Sequence, residues 1–393
     1  MAEVSKHMFE QACSGLECHY MMHPWNESCL KAIPHTAKAS LIGSAKFYSV
    51  IYLAQIAMRG AKMLRSKEEW FRMGEYYARS TALGFLVCGS APVLGCVLRR
   101  LTGDRFGYYT YLLVPNMING LSIYLEPPHR RGLVINLFCN LMIEYWLRTL
   151  EKAGYLVMNK SKQTFLFMIG SAALFYLMRL EGDKEHRTPL FWLFTPEKVK
   201  RKTEDSKGAC PHKGPCNKHI LKGFTKLFGA GAAITLARLV LPRLRHPARA
   251  FASIRPHHFK MAMFFGSYIG IYRAIICYLC RRRGYDSALY ALPAGYVAGL
   301  AFYFNPSVGF SIAAVTAAAK LYSTILYEKR LLPASVPLPE LLYCACQGTL
   351  FHARFMHPDV CPKYTFNLMK SVSNGCTELL YANMLEALKK TAF

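Results

Sequence analysis

Apolar runs of about 17 to 22 residues alternate along this chain with shorter polar stretches, most of them basic. At 1.5 Å of rise per residue, such a run crosses a hydrocarbon layer roughly 30 Å thick. The runs fall near residues 41–58, 81–98, 106–125, 133–150 and 164–180, and again near 220–241, 261–280, 288–304, 307–327 and 338–356. None alternates with period two, as a barrel strand would, and lipid offers no partner to open backbone groups. The pattern therefore predicts an all-α polytopic membrane protein with about ten transmembrane helices. Its first and last runs are the most polar, because Lys46 lies in one and His352 and Arg354 in the other.

The two sets of five runs carry one motif. Residues 113–127 read LVPNMINGLSIYLEP and residues 291–306 read ALPAGYVAGLAFYFNP, so that Pro115, Gly120, Leu121, Tyr124 and Pro127 match Pro293, Gly299, Leu300, Tyr303 and Pro306. Gly43, Lys46 and Tyr48 match Gly223, Lys226 and Phe228; Gly89-Ser90 matches Gly266-Ser267, and Arg99-Arg100 matches Arg281-Arg282. Tyr145, Glu151-Lys152, Gly170 and Met178 fall opposite Tyr322, Glu328-Lys329, Gly348 and Met356. The offset stays at about 177 to 182, which is the mark of an internal duplication. The expected organisation is a Cys/His-rich segment over 1–39, a first membrane repeat over 40–182, a basic Cys/His-containing loop over 183–219, a second repeat over 220–357 and a tail over 358–393. An odd number of helices per repeat makes the second copy enter the membrane from the opposite side. Two homologous repeats, inverted five plus five, are a transporter architecture with a midplane binding site.

Composition sharpens the picture. Of 393 residues 53% are hydrophobic, yet 49 Lys and Arg stand against 23 Asp and Glu, a formal charge of +26. The positive charge gathers beside the apolar runs, notably in PEKVKRKTEDSKGACPHKGPCNKHILK and RHPARAFASIRPHH. Anionic lipid headgroups are the natural partner, at roughly 1 kcal/mol per basic residue at the surface. No nucleic-acid-binding signature accompanies the charge, so nucleic acid is not an expected partner. No HExxH, GxSxG or phosphate-binding glycine loop occurs, and an enzyme is not expected. The opening MAEVSKHMFEQACSG lacks an apolar core and arginine, and LKKTAF is no peroxisomal tripeptide, so internal targeting is expected.

Polar groups within the runs are candidate functional residues, since an unpaired charge at midplane costs several kcal/mol. Glu144 and Lys320 occupy corresponding runs of the two repeats and are candidates to pair; Arg273, Asn116, Asn119, Asn136 and Asn140 complete the set. They either join helices or line a polar path. The pairs Gly266–Gly270 and Gly295–Gly299 are spaced for close helix packing, with a contact between copies in a homo-oligomer as the other reading.

Cysteine and histidine gather in two places, each just ahead of the first run of a repeat. CSGLECHYMMHPWNESC carries Cys13, Cys18, His19, His23 and Cys29, and CPHKGPCNKH carries Cys210, His212, Cys216 and His219. Thiolate and imidazole donors suit tetrahedral zinc, but neither cluster has the CxxC spacing of a standard finger. Metal, disulfide and free thiols all remain open at Cys18, His23, Cys29, Cys210, His212 and Cys216.

These same stretches carry a family resemblance. HPWNESC (His23 to Cys29), CPHKGPC, FGSYIGIYRAIICYL, LPAGYVAGLAFYF and the tail YCACQGTLFHARFMHPDVCPKYTFNLM resemble the transmembrane protein 135 family. Its members have an amino-terminal cysteine-rich segment and a later half related to the mitochondrial Tim translocase and peroxisomal membrane protein superfamily. The resemblance implies a multi-pass protein of mitochondrial or peroxisomal membranes. It also implies a role in the balance of mitochondrial fission and fusion through division-machinery partners, and in peroxisome organisation or lipid handling. The alternative, from the repeats, is a transporter of lipid or small solute.

Overall fold

The computed structural model describes residues 3–59, 66–181, 199, 209–240, 255–331 and 336–391. Most of the basic loop, and residues 245–254 of the second basic stretch, lie outside the described residues. Among the described residues every regular element is helical. The order begins α1 (Lys6–Cys13), α2 (Cys18–Met21), α3 (Cys29–Arg59), α4 (Lys67–Leu101), α5 (Tyr108–Asn119), α6 (Pro128–Lys152) and α7 (Lys160–Leu180). It continues with α8 (Cys216–Val240), α9 (Lys260–Arg283), α10 (Ala291–Ala298), α11 (Val308–Glu328), α12 (Leu338–Met356), α13 (Lys363–Val372) and α14 (Cys376–Thr391).

Local chemistry sets the helix ends. Ser66 accepts from the Glu69 N–H to cap α4, whose first turn carries Glu68 and Glu69 and whose last turn carries Arg99 and Arg100, each charge opposing the helix dipole. Asn159 caps α7 through the Lys162 N–H at 2.9 Å. α9 stops at Gly284, whose φ of 78° is the left-handed conformation glycine adopts at least cost. The repeated motif also has a local meaning. Both α5 and α10 contain its first proline, and both tighten at its glycine into a 3-10 turn, Gly120–Leu125 and Gly299–Phe304. Pro127 and Pro306 close these turns ahead of α6 and α11.

Among the described residues, five helical segments are long and apolar enough to cross a membrane: α4, α7, α8, Pro256–Arg283 and α11. The other expected runs fall short for identifiable reasons. Those at 106–125 and 288–304 are broken by the change from α to 3-10 geometry. α6 carries Arg130, Arg131, Glu144 and Arg148, and α12 carries Glu340 and Arg354; the run at 41–58 extends beyond the described side chains of α3.

The chain forms two compact units, Met1–Tyr155 with Val336–Phe393, and Leu156–Ser335. In the first, α3 lies along α4 where Gly84 and Gly89 face Ser44 and Ser40. α12 packs on α5 and α6, and a side chain at Gly348 would come within 2.8 Å of the Leu113 carbonyl. The tail returns to this unit: α13 crosses α3 at Gly43, where an added Cβ would sit 2.4 Å from the Val372 carbonyl oxygen. The amino terminus joins it, with the Val4 N–H donating to the Met356 carbonyl at 2.9 Å.

In the second unit α8 packs on α9, where Gly231 meets Ala262 and Gly266 meets Phe224 and Phe228. α7 lies against α10, its 3-10 extension and α11. A Cβ on Gly295 would stand 2.9 Å from the Ala172 Cα, one on Gly299 2.7 Å from the Met168 Cα, and one on Gly170 2.6 Å from the Val315 nitrogen. The compact units therefore cut across the repeats expected over 40–182 and 220–357. α7 belongs to the first repeat in sequence but packs with the second set of helices, and α12 does the reverse. Glycines that let backbones touch decide the matter.

Candidate functional site

The first Cys/His cluster is assembled by three short-range turns and one long helix. Cys18 opens α2, His23 follows it, Cys29 opens α3 and Cys96 projects from the last turns of α4. Their four donor atoms lie within 4.8 Å of one another. His23 is 2% exposed; its Nδ1 is 2.7 Å from the Asn26 carbonyl and its Nε2 3.3 Å from the Cys29 sulfur. The residues between them shape the turn. The Asn26 side chain accepts from the Ser28 N–H at 2.9 Å, and Trp25 donates to the Ala32 carbonyl while stacking on His35. Burial pushes the Cys18 thiol above its ordinary value, with Cys96 and Arg99 pulling it the other way. Cys13 stands apart in the core, its thiol pushed up to about 12 by burial, and His19 pairs with Glu17.

The second cluster repeats the first. Cys210 and His212 lie in the turns before α8, Cys216 opens α8, and Cys277 comes from α9. Again the four donors lie within 4.8 Å of one another. The Cys210 and Cys216 sulfurs are 3.7 Å apart, and His212 Nε2 is 3.2 Å from the Cys277 sulfur. The His212 ring stacks on His219 at 4.0 Å, and its buried Nδ1 has no hydrogen-bond partner in the structure. Burial raises the Cys210 thiol, opposed by nearby Arg281. Sequence reasoning found three ligands of each set and missed Cys96 and Cys277. Both sit within about a turn of the matched Arg99-Arg100 and Arg281-Arg282 pairs, so the repeat itself held the signal.

The polar residues of the helices mostly join neighbours. Glu144 has a partner within its own helix. It binds Arg148, one turn along α6, through two contacts of 2.6 and 3.0 Å, because a partner four residues away is always within reach. Lys320 lies on α11 in the second unit. Arg273 donates to the His219 carbonyl at 2.8 Å and fills the space left by Gly223. Asn116 donates to Leu112, and Gln347 donates to the Asn116 carbonyl and the Asn119 side chain, tying α12 to α5. Asn140 is buried on α6. Gly266 and Gly270 face Phe224, while Gly295 and Gly299 face α7.

Among the described residues, three ion pairs with at least one buried partner were not foreseen. Arg179 and Asp286, each with a side chain 1% exposed, meet at 2.6 Å in the second unit. Arg354 pairs with Glu378 at 3.0 Å, its guanidinium between Phe366 and Tyr381. The third pair borders a cavity of about 150 Å³ in the first unit, walled by residues such as Ile51, Leu83, Val134, Leu137, Phe138 and Tyr343. Glu126, 2% exposed, accepts from the Ser80 hydroxyl, which also contacts the Tyr52 hydroxyl at 3.0 Å. Its second oxygen lies 3.7 Å from Arg130 Nη1, and neither of these two atoms has a hydrogen-bond partner in the structure. Arg130 rests over the Tyr76 ring at 4.6 Å.

The chain is thus a membrane protein with several apolar helices and two Cys/His clusters at metal-binding distance. No solved structure matches it. Residues 15–150, which contain the whole of the first cluster and the Glu126–Arg130 pair, match the sequence profile of the N-terminal cysteine-rich region of Transmembrane protein 135. Over that region the chain is similar to the transmembrane protein 135 family.

Proposed function

We propose that this protein handles lipid in an organelle membrane, binding an amphiphile in the cavity of the first unit. The observation that carries this reading is the Glu126–Arg130 pair at the edge of an otherwise apolar cavity, with one unsatisfied atom on each partner. A buried charge without its full complement of hydrogen bonds is costly. A zwitterionic or hydroxylated headgroup supplies both an acceptor for Arg130 and a donor for Glu126, while an acyl chain takes the apolar wall. The resemblance of residues 15–150 to the transmembrane protein 135 family supports a mitochondrial or peroxisomal membrane, and an influence on fission and fusion would then follow from lipid handling.

The test is photocrosslinking of the full-length protein in vesicles containing a photoactivatable phosphatidylcholine. Glu126→Gln and Arg130→Met are each expected to cut labelling of the first unit about tenfold, the loss of one charge-assisted hydrogen bond. Undiminished labelling in both variants overturns the reading.

A second reading, transport through an inverted five-plus-five bundle, is favoured by the matched element order of the two halves, including both α-to-3-10 transitions. Each of those broken segments still has a contour of about 30 Å. Tyr155 and Leu331 are exposed in corresponding loops. Single cysteines placed there, in a chain whose other exposed thiols are blocked, should react with an impermeant maleimide from opposite sides of the membrane. Labelling of both from one side removes the inversion.

A further inference from the structure

We propose that each unit holds one zinc ion in a closed Cys3His site, Cys18, His23, Cys29 and Cys96 in the first and Cys210, His212, Cys216 and Cys277 in the second. The sites lock each cysteine-bearing segment onto the second of the two long helices that follow it, α4 in the first unit and α9 in the second.

The spacing of the donors supports this. Zinc binds sulfur at about 2.3 Å and imidazole nitrogen at about 2.0 to 2.1 Å, so the edges of its tetrahedron run to about 3.5 to 3.8 Å. Three edges of the two sets, at 3.3, 3.7 and 3.2 Å, fall at or slightly inside that range, and all donors of each set lie within 4.8 Å of one another. A two-iron cluster divides its four ligands between two metals and spreads them wider, so the compact sets favour a single ion.

The histidines are oriented for the task. With its Nδ1–H donated to the Asn26 carbonyl, His23 carries its lone pair on Nε2, the atom facing Cys29. A ligating histidine is commonly fixed in this way by a hydrogen bond from its other nitrogen. His212 also presents Nε2 to its cysteine, held by stacking on His219.

Charge is handled alike in both places. Three thiolates with Zn2+ leave one negative charge. Arg99 and Arg281, matched residues of the repeat, lie near Cys18 and Cys210 respectively. Cys29 and Cys216 each open a long helix, where the dipole favours a thiolate. A cavity of about 180 Å³ lined by His23, Cys29, Cys96 and Arg100 offers an entry path to the first site.

The same order of donors, Cys, His, Cys and then a cysteine from the second long helix, occurs once in each unit although the loops around them differ in length. Loops diverge freely, whereas a four-ligand set must persist as a whole. Four protein ligands leave no open position for substrate, so the sites are structural.

Metal analysis of the full-length protein, purified in detergent under reducing conditions, tests the proposal. The expected content is two zinc ions per chain. Cys96→Ser and Cys277→Ser should each lower it to one, and the double variant to near zero. Cys13→Ser should leave two. The conservative variants His23→Cys and His212→Cys should also retain two, and they keep the test decisive if the serine variants fail to fold. Replacement with Co2+ should give thiolate-to-cobalt charge-transfer bands for three sulfurs per ion. Stoichiometric iron with acid-labile sulfide, disulfides among these cysteines, metal content insensitive to both serine variants, or no bound metal would each overturn it.

Discussion

The two units share a plan but differ in how tightly the borrowed helix is held. In the second, α7 reaches the backbone of α11, because Gly170 faces Ala314 and Val315. The matching stretch of α6 in the first unit is bulkier: Leu137, Phe138 and Leu141 stand where α11 has Ala314, Val315 and Ala318. Those side chains keep the bundle open, and Leu137 and Phe138 line its cavity. Charge diverges with packing. Glu126 precedes Pro127 in the first unit, while Asn305 precedes Pro306 in the second. A duplicated bundle can thus keep its scaffold in one copy and open a binding space in the other, provided that the clusters anchoring the helices are retained in both.

The largest contrast should come from the ion pairs. Asp286→Asn leaves Arg179 buried and without its carboxylate in the closed second unit, which should destabilise it by about 3 to 5 kcal/mol. Glu126→Gln should cost less, since Arg130 is 19% exposed and keeps its contact with Tyr76. Denaturation followed by intrinsic fluorescence measures both. Equal losses would remove the distinction between a sealed unit and an open one.

Packing comes next. Gly170→Ala forces a Cβ against the backbone of α11 and should cost about 1 to 3 kcal/mol. Gly270→Ala meets only the Phe224 ring at 3.5 Å and should be nearly neutral, because alanine also favours the helix. A Gly270→Ala variant as unstable as Gly170→Ala would show that small residues matter here for something other than backbone approach.

A cavity-filling change sharpens the comparison from the other side. Phe138→Trp in the first unit should reduce phospholipid photolabelling several-fold, with a change in stability of under about 1.5 kcal/mol because the added volume enters open space. Val315→Trp at the matched place should instead disrupt the close packing of α7 on α11. Labelling unaffected by Phe138→Trp would detach the lipid from this cavity.

Much of the architecture was legible before any coordinates, and the reasons are physical. Lipid demands long apolar runs, so the positions of the helices stand out, and the proline–glycine–tyrosine–proline motif marks a real change of helix type twice over. Which helix packs with which was not legible. α7 and α12 are related in sequence, and periodicity says nothing about which of two similar bundles each will join. Cys96 and Cys277 were hidden because a cysteine within an apolar run reads as filler. Glu126, next to Pro127, reads as a loop charge, and only the fold turns it inward. At Glu144 the neighbouring turn supplies Arg148, a partner that matching the two repeats did not bring out.

The smallest expected effect concerns a tether in the first unit. Lys152 Nζ lies 2.8 Å from Glu3 and 2.6 Å from Asp359, tying the amino terminus to the segment after α12, and His357 also reaches Glu3 at 2.9 Å. The hydrogen bond from Lys152 lowers the Glu3 pKa below the ordinary carboxylate value, while the hydrogen bonds to Asp359 and Glu3 raise Lys152 to about 12. A depressed carboxylate contributes stability that is present above its unfolded pKa and lost as pH falls through its folded one. A raised lysine contributes stability that is lost only as pH climbs through about 12. The tether is therefore intact at neutral pH and weakens in acid. These side chains are largely exposed, so Lys152→Met should cost under about 1 kcal/mol. It should also flatten the acid limb of the stability profile and raise proteolysis of the first residues, without changing metal content. An unchanged acid limb in Lys152→Met would assign that limb to other carboxylates, and the tether would then be a contact without energetic weight.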